Sequence, residues 1–148
     1  MKRHPSLIPL SSHHQNALVQ AKSLRSRSGK RTAEERRNVA KTFLKFWESH
    51  GQSHFRVEEE VVLPTLARFG IARAEAISEM LTQHVEIRAL VQEMADLIER
   101  NEAPSAERMV ELGELLDRHV RLEEHTVFPY VERTVPEAEL VRLRERLV

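Results

Sequence analysis

The apolar side chains of this chain recur every three or four residues along almost its whole length, as they do on the buried faces of helices. Five such stretches predict five helices, of which the first four are long and the fifth is short. Their approximate bounds are residues 7–24, 32–70, 73–100, 105–132 and 136–147. Long amphipathic helices with short connections predict an all-α fold, an antiparallel up-down-up-down four-helix bundle with a short C-terminal fifth helix. The length suits a single domain over residues 1–148, with the bundle core at about 6–132.

Local signals support these bounds. Thr32 and Glu35 form a predicted capping box at the start of the second helix, and Ser105 can cap the fourth. Thr134 with Glu137 predicts a second capping box, at the start of the fifth helix. The part of the second helix before His54 is longer than the part of the first helix after His14. We therefore expect a bend in the stretch SHGQS, where a glycine lowers helix propensity.

One motif occurs twice, as HFRVEEEVVLP from residue 54 and as HVRLEEHTVFP from residue 119. Each copy places a glutamate four residues after its histidine, which gives the pairs His54/Glu58 and His119/Glu123. Side chains four residues apart lie on one helical face, close enough to bind one ion together. Both pairs fall on the apolar faces of their helices, so the repeat indicates chemistry in the interior.

Two further histidines occupy apolar stripes. His84 lies on the third helix and His14 on the first, each flanked by apolar residues at helical spacing. At a rise of about 1.5 Å per residue, antiparallel helices would bring the four histidines to nearly one level. Two carboxylates buried together are strongly unfavourable unless they are paired or bind metal. Imidazole nitrogen and carboxylate oxygen suit iron, manganese or zinc better than calcium, and two metal ions about 3.5–4 Å apart would use every ligand.

The combined pattern resembles the hemerythrin-type HHE domain: a histidine in the first helix, HxxxE in the second, a histidine in the third and HxxxE in the fourth. The resemblance covers roughly residues 6–132. It implies a non-haem di-iron centre that interacts with O2, NO or peroxide as a sensor, store or scavenger. Two iron ions would be bridged by Glu58 and Glu123, and zinc or manganese can substitute for them. The implied metal ligands are His14, His54, Glu58, His84, His119 and Glu123.

Two positions depart from the oxygen-carrying members of that family. Those members have a second histidine on the third helix, where Arg88 stands here, and an aspartate where Glu124 stands here. With about six positions per iron, four histidines, two bridging carboxylates and an oxo or hydroxo bridge leave about one position open on each metal. The departure predicts ligand binding across both metals and redox turnover, rather than simple reversible oxygen carriage.

The composition excludes several kinds of partner. The chain has 23 lysines and arginines against 23 acidic residues, so it has no overall attraction for nucleic acid or anionic lipid. It has no cysteine, which excludes disulfides and thiolate metal sites and suits a cytoplasmic protein. No apolar run approaches the ~20 residues of a membrane span. The expected partner is a small diatomic ligand or peroxide, with no nucleic acid and no membrane, and the oligomeric state stays open.

Several alternatives also stay open. His13 can serve as the first-helix ligand in place of His14, although the apolar spacing favours His14. His50, four residues before His54, can be an additional ligand or an outer partner, and Tyr130 a redox or hydrogen-bonding group. The chain can also be a di-iron enzyme, either a peroxidase or oxidase or a factor that repairs damaged iron centres. A third hypothesis is a helical interaction module, in which the predicted metal ligands have only a structural role.

Overall fold

A computed structural model describes residues 2–70 and 73–147, and over them the chain is all-helical, without a strand. It forms five helices there, and their bounds agree with the predicted ones to within about three residues. The helices are α1 (Ile8–Arg25, after a 3-10 turn at Pro5–Leu7), α2 (33–67), α3 (Ala74–Glu99), α4 (106–134) and α5 (Glu137–Arg146). The predicted all-helical class is confirmed. None of the helices in the described residues is long and apolar enough to cross a membrane.

Two of the predicted caps are present. The Thr32 hydroxyl accepts a hydrogen bond from the Glu35 N–H at 3.1 Å, and the Glu35 carboxylate accepts one from the Thr32 N–H at 2.9 Å. At the start of α4, the Ser105 hydroxyl accepts a hydrogen bond from the Arg108 N–H at 3.1 Å. These bonds satisfy N–H groups that have no partner inside the helix, so both starts are fixed locally.

The capping box predicted at Thr134 is wrong. Thr134 is the last residue of α4, and α5 begins after Pro136, whose side chain makes no capping hydrogen bond. The reason is tertiary: Val131 and Val135 are both buried, and the Val135 N–H donates to the Val131 carbonyl at 3.0 Å. Their burial keeps the chain helical up to Thr134, so its hydroxyl is not available at a helix start.

Both copies of the repeated motif contain a π-helical turn that directly follows the paired residues. The turns are Glu58–Val62 and Glu123–Val127, and each is followed by a proline at the second position of the next α-helical segment, Pro64 or Pro129. Proline has no N–H, and in a regular α-helix its ring clashes with the carbonyl four residues earlier. A π-turn shifts the hydrogen bonds by one residue and relieves that clash, so the repeated proline explains the repeated turn.

A third π-turn, Trp47–Gly51, lies where the sequence predicts a bend in α2. The Trp47 ring packs directly over Gly51: a Cβ added to Gly51 would lie 2.4 Å from Cε3 of that ring. Glycine is therefore required here by close approach rather than by its backbone angles. The helix continues through this stretch as a wider turn instead of breaking.

The apolar core consists of two clusters of buried side chains. The first core cluster comprises Ala17, Ala21, Leu24, Ala40, Phe43, Phe46, Trp47, Phe55, Ile87, Val91, Met94, Met109, Leu112, Leu115, Leu116 and Val120. The second core cluster comprises Leu7, Leu10, Val62, Leu66, Met80, Val127, Phe128, Tyr130, Val131, Val135, Leu140 and Leu143. On each of α1 to α4, a buried polar residue separates the two. In chain order α1 and α3 pass from the second core cluster to the first, whereas α2 and α4 pass from the first to the second.

Candidate metal centre

Six polar side chains meet in the interior between the two core clusters. α1 and α3 each supply a histidine, and α2 and α4 each supply a histidine and a glutamate. None of the six is more than 5 % exposed. They form the histidine–glutamate cluster: His14, His54, Glu58, His84, His119 and Glu123. The structure thus brings together every residue that the sequence predicts as a ligand.

Glu123 lies between histidines of two different helices. Its Oε1 is 2.8 Å from Nε2 of His14, and its Oε2 is 3.0 Å from Nε2 of His119. The side chain of Glu123 is fully buried. Its two oxygens therefore face two separate imidazoles.

Glu58 lies in the same way between two other histidines. Its Oε2 is 3.1 Å from Nε2 of His54, and its Oε1 is 3.2 Å from Nε2 of His84. Two groups of four ligand atoms result, and within each group all atoms lie within 4.8 Å of one another. The first half-site contains His14 and His54, the second half-site contains His84 and His119, and both share Glu58 and Glu123.

The second half-site contains four buried atoms that have no hydrogen-bond partner within the described part of the chain. They are Glu58 Oε1, His84 Nε2, His119 Nε2 and Glu123 Oε2. These atoms lie close together, but their geometry does not form hydrogen bonds. A buried polar atom without a partner is costly, and a cation among these four would satisfy them all at once. The donor set therefore fits a bound metal ion.

The outer nitrogens of the four histidines are also engaged. Each Nδ1 has a hydrogen-bond partner on a different side chain: Glu124 for His14 (2.9 Å), His13 for His54 (3.2 Å), Glu59 for His84 (2.6 Å) and Gln83 for His119 (2.8 Å). When Nδ1–H donates to such an acceptor, the lone pair of the neutral ring is on Nε2, which faces the interior of the cluster. The acceptors thus select the tautomer that can bind metal.

The sequence matches the hemerythrin HHE cation binding domain family over residues 9–131, a range that includes the whole histidine–glutamate cluster. The chain belongs to this family. Comparisons with curated proteins and with solved structures found no match. The hemerythrin-like domain therefore has a buried histidine–glutamate cluster that is able to bind metal.

In this hemerythrin-like domain, the second glutamate of each motif copy holds a histidine of a neighbouring helix. Glu59 accepts from Nδ1–H of His84 and from both terminal nitrogens of Arg88, at 2.7 and 3.1 Å. Burial raises the pKa of the Glu59 carboxyl, but the hydrogen bonds from Arg88 and His84 outweigh it and hold that pKa below its ordinary value. Arg88 therefore acts here by fixing Glu59.

Glu124 does the same for α1. It accepts from Nδ1–H of His14 and from the Ser11 hydroxyl at 2.6 Å, and its other oxygen is 3.5 Å from the Arg3 guanidinium. Burial raises the pKa of Glu124, but these hydrogen bonds outweigh it and lower that pKa to about 2. The carboxylate is therefore ionised at neutral pH, and it is a strong acceptor for the His14 ring.

Protons balance the buried carboxylates in the absence of a cation. Burial lowers the pKa of His14, but hydrogen bonds to Glu123 and Glu124 outweigh it and raise that pKa to about 9. Burial also lowers the pKa of His54, but the negative charges of Glu58 and Glu123 and the hydrogen bonds to them together outweigh it and raise that pKa to about 10. Burial also lowers the pKa of His84, but its contacts with Glu123 and Glu58 together outweigh it and raise that pKa to about 9. A metal ion must therefore displace protons from these rings.

Aromatic side chains fix two of the ligand rings. Phe55 stacks on His84 with ring centroids 3.8 Å apart and planes 10° apart, and Phe128 stacks on His14 at 5.3 Å and 13°. Phe55 belongs to the first core cluster and Phe128 to the second, so the cluster is packed from both sides. The ring planes are thus set by packing as well as by hydrogen bonds.

A small cavity opens beside the histidine–glutamate cluster. Its volume is about 20 Å³, measured as the space open to the centre of a water molecule, which is enough for about one small molecule. Three cluster histidines, His14, His54 and His119, form part of its wall. The other lining side chains include Trp47 and Phe55 of the first core cluster, so the cavity combines an apolar wall with ligand imidazoles.

The structure places the residues left open by the sequence as follows. His14 rather than His13 points its Nε2 into the cluster, and His13 lies behind His54. His50 is exposed and lines the cavity without joining the cluster. Tyr130 is buried in the second core cluster, with its hydroxyl beside Gly70.

Sequence reasoning missed the outer partners of the cluster, above all Gln83, Glu124 and the interaction between Arg88 and Glu59. One signal was available for the two carboxylates, because both motif copies read Glu-Glu at corresponding positions. No comparable signal marks Gln83, whose amide oxygen meets His119 of another helix. Its role depends on how α3 and α4 are rotated, which a single sequence does not state.

Proposed function

We propose that this domain binds two iron ions, one in each half-site, with Glu58 and Glu123 shared between them. The observation that supports this most directly is that each glutamate faces a histidine of both half-sites through different oxygens. A cation in the second half-site alone would leave Glu123 Oε1 and Glu58 Oε2 bonded to protonated His14 and His54. A second cation would replace those protons and use the remaining ligand atoms.

The same proposal includes the arrangement of the helices as an antiparallel up-down-up-down four-helix bundle. It is supported by the alternating order in which the helices pass the two core clusters, since α1 and α3 run from the second to the first and α2 and α4 run back. In such a bundle the ligands at the middle of all four helices meet in one layer. α5 then covers one end, where Leu140 and Leu143 join the second core cluster.

The donor set favours iron, although zinc and manganese fit it as substitutes. Imidazole nitrogen with carboxylate oxygen suits these ions, and the described residues offer no thiolate. Bound iron would supply open coordination positions and electrons for a small oxidising or diatomic ligand. The protein's own contribution is to hold four imidazoles in the binding tautomer, through Glu59, Glu124, Gln83 and His13.

The proposed ligand is O2, NO or peroxide, and the domain acts as a sensor, store or scavenger of it. The cavity supports this because it adjoins ligand histidines of both half-sites and has room for about one small molecule. Its wall carries aromatic and aliphatic groups, which suit a weakly polar molecule. A larger organic substrate does not fit this volume.

The deciding experiment measures metal content and visible absorption of protein made in iron-rich medium, before and after O2 or NO is added. We expect two iron ions per chain and a ligand-dependent absorption band. The variant Glu123→Gln should lose metal, because it removes a carboxylate oxygen from both half-sites, whereas Glu114→Gln, at an exposed position of the same helix, should not. Fewer than two metal ions per wild-type chain, or no spectral response, would contradict the proposal.

Turnover distinguishes an iron-loaded redox enzyme from a protein that only binds its ligand. Peroxide consumption by the loaded protein, followed over many equivalents, would identify a peroxidase. Stoichiometric reaction that stops after one equivalent would identify a sensor, store or scavenger. A spectrum that forms with O2 and reverses fully when O2 is removed would exclude redox turnover under those conditions.

A further inference from the structure

A ladder of four imidazoles runs from the surface into the cluster. In order these are His50, His13, His54 and His14, and the ring centroids of successive members lie 5.4, 5.4 and 5.0 Å apart. His50 is exposed, His13 is half-buried, and the other two are buried. Each step inward therefore moves from solvent toward the first half-site.

The cavity follows this ladder. All four rings line it, together with His119. The remaining lining side chains are aliphatic or aromatic, so among the residues described there a cation would find nitrogen ligands only on the imidazoles. The two outer rings, His50 and His13, stand between solvent and the ligands without contributing an atom to either half-site.

The ladder occurs in only one copy of the repeated motif. His50 lies four residues before His54, on the same helical face, and so extends the HxxxE pattern by one turn toward the surface. The corresponding position before His119 is Leu115, which is buried in the first core cluster. This difference separates the outer histidines from the shared architecture of the motif and gives the first half-site a route that the second lacks.

We propose that His50 and His13 form an outer site for divalent cations, which captures a metal ion at the surface and passes it to the first half-site. His13 binds the ion through the Nδ1 lone pair that otherwise accepts from His54, and it returns to His54 when the ion moves inward. This inference rests on the proposed two-metal function of the cluster. Two imidazoles without a carboxylate suit borderline cations such as Fe²⁺, Co²⁺ and Zn²⁺ rather than Mg²⁺ or Ca²⁺. Such a site is weaker than the inner ones, which have more ligands, so the ion moves inward.

Cobalt uptake by metal-free protein tests this, with full-length chain stripped by a chelator and mixed with Co²⁺ in a stopped-flow spectrometer without oxygen. The variant is His50→Gln, which removes the outermost imidazole. His13, the hydrogen-bond partner of His54 Nδ1, is left unchanged, so the inner ligand stays in place. The control is Glu48→Gln, which alters an exposed potential ligand on the same π-turn that does not line the cavity.

In wild-type protein and in the control, the uptake rate should saturate with rising cobalt concentration, because ions first occupy the outer site. In His50→Gln it should rise linearly and be about ten-fold slower or more at low cobalt, since the local concentration effect is lost. The final cobalt content and spectrum should be the same in all three proteins. Uptake by His50→Gln at the wild-type rate would overturn the inference.

A changed final cobalt content or spectrum in His50→Gln would also overturn it, because His50 would then belong to the inner site itself. Failure of the proposed function is visible separately, in the wild-type protein. If the wild-type protein binds fewer than two cobalt ions per chain at equilibrium, whatever the uptake rate, the proposed two-metal function is wrong. The inference about the outer site would then be wrong as well.

Discussion

Adjacent glutamates in the repeated motif perform different tasks because a helix turns by about 100° per residue. Glu58 and Glu123 point inward and are fully buried, whereas Glu59 and Glu124 point sideways and reach histidines of neighbouring helices. A conservative change at the second glutamate therefore leaves the ligands intact and removes only the acceptor that orients one of them.

The substitution Glu59→Gln tests this at the second half-site. Glutamine keeps the size of the side chain but replaces an ionised acceptor, and it leaves Arg88 without its carboxylate. We expect metal affinity to fall about 10–100-fold. Competition with a chromophoric chelator measures it. The matched control is Glu60→Gln at the exposed neighbouring position, which should keep wild-type affinity. Equal affinities for the two variants would show that His84 needs no outer acceptor.

At the scale of residues, the sequence predicted the six members of the histidine–glutamate cluster but not the side chains that hydrogen-bond to the outer nitrogens of its histidines. Spacing alone identifies His54 and Glu58 as a pair, because both lie on one face of one helix. The contact of Gln83 with His119, or of His13 with His54, joins residues from different helices. Such contacts depend on helix rotation to within about one residue, and amphipathic periodicity fixes rotation less sharply than that.

At the scale of elements, the backbones of α1 and α4 are in close contact at Gly113. A Cβ added there would lie 2.7 Å from the Ala21 carbonyl oxygen and 3.2 Å from Cβ of Leu24. The first of these is a backbone atom, which cannot move aside as a flexible side chain can. The absence of a side chain at Gly113 therefore sets the separation of the two helices that carry His14 and Glu123.

The substitution Gly113→Ala should separate these helices. Helix propensity alone predicts a gain of about 1 kcal/mol for alanine over glycine. We expect a net loss of about 1–3 kcal/mol instead, because overpacking at a backbone contact outweighs propensity. Urea unfolding of metal-free protein measures it, with Glu114→Ala at the exposed next residue as the control. Increased stability of Gly113→Ala would show that α1 and α4 can move apart without cost.

The sequence predicted the helices better than their details. Periodicity and the caps at Thr32 and Ser105 placed the bounds closely, because both signals are local. The failure at Thr134 and the two π-turns of the repeated motif have another origin. Burial of Val131 and Val135 decided where α4 ends, and the repeated prolines decided where the turns widen. Tertiary packing thus overrode a local capping signal of similar strength.

At the scale of the whole molecule, the cluster places buried charge between two apolar clusters. Without a cation, the carboxylates are balanced by protons on His14, His54 and His84, whose pKa values are raised from 6.5 to about 9, 10 and 9. A raised pKa contributes stability that is complete below the ordinary value of 6.5 and is lost as the pH rises through the raised value. The metal-free protein should therefore lose stability between about pH 6.5 and 10.

The carboxyl groups act in the opposite direction. The pKa of Glu124 is lowered from 4.5 to about 2, so its contribution is present above pH 4.5 and is lost as the pH falls toward 2. The pKa of Glu123 is also lowered, by the charge of His119 and by hydrogen bonds from histidines that outweigh burial. Together the raised histidine pKa values and the lowered carboxyl pKa values place the maximum stability of metal-free protein between about pH 4.5 and 6.5.

Metal loading should remove the alkaline loss of stability, because cations then replace the protons and do not dissociate as hydroxide rises. We expect the melting temperature of stripped protein to fall by about 5 °C or more between pH 6.5 and 9.5, and that of zinc-loaded protein to stay nearly level. Circular dichroism measures both. Metal affinity should rise over the same range, since fewer protons compete. A stripped protein whose melting temperature is constant over this range would mean that its buried carboxylates are balanced by something other than the imidazolium protons.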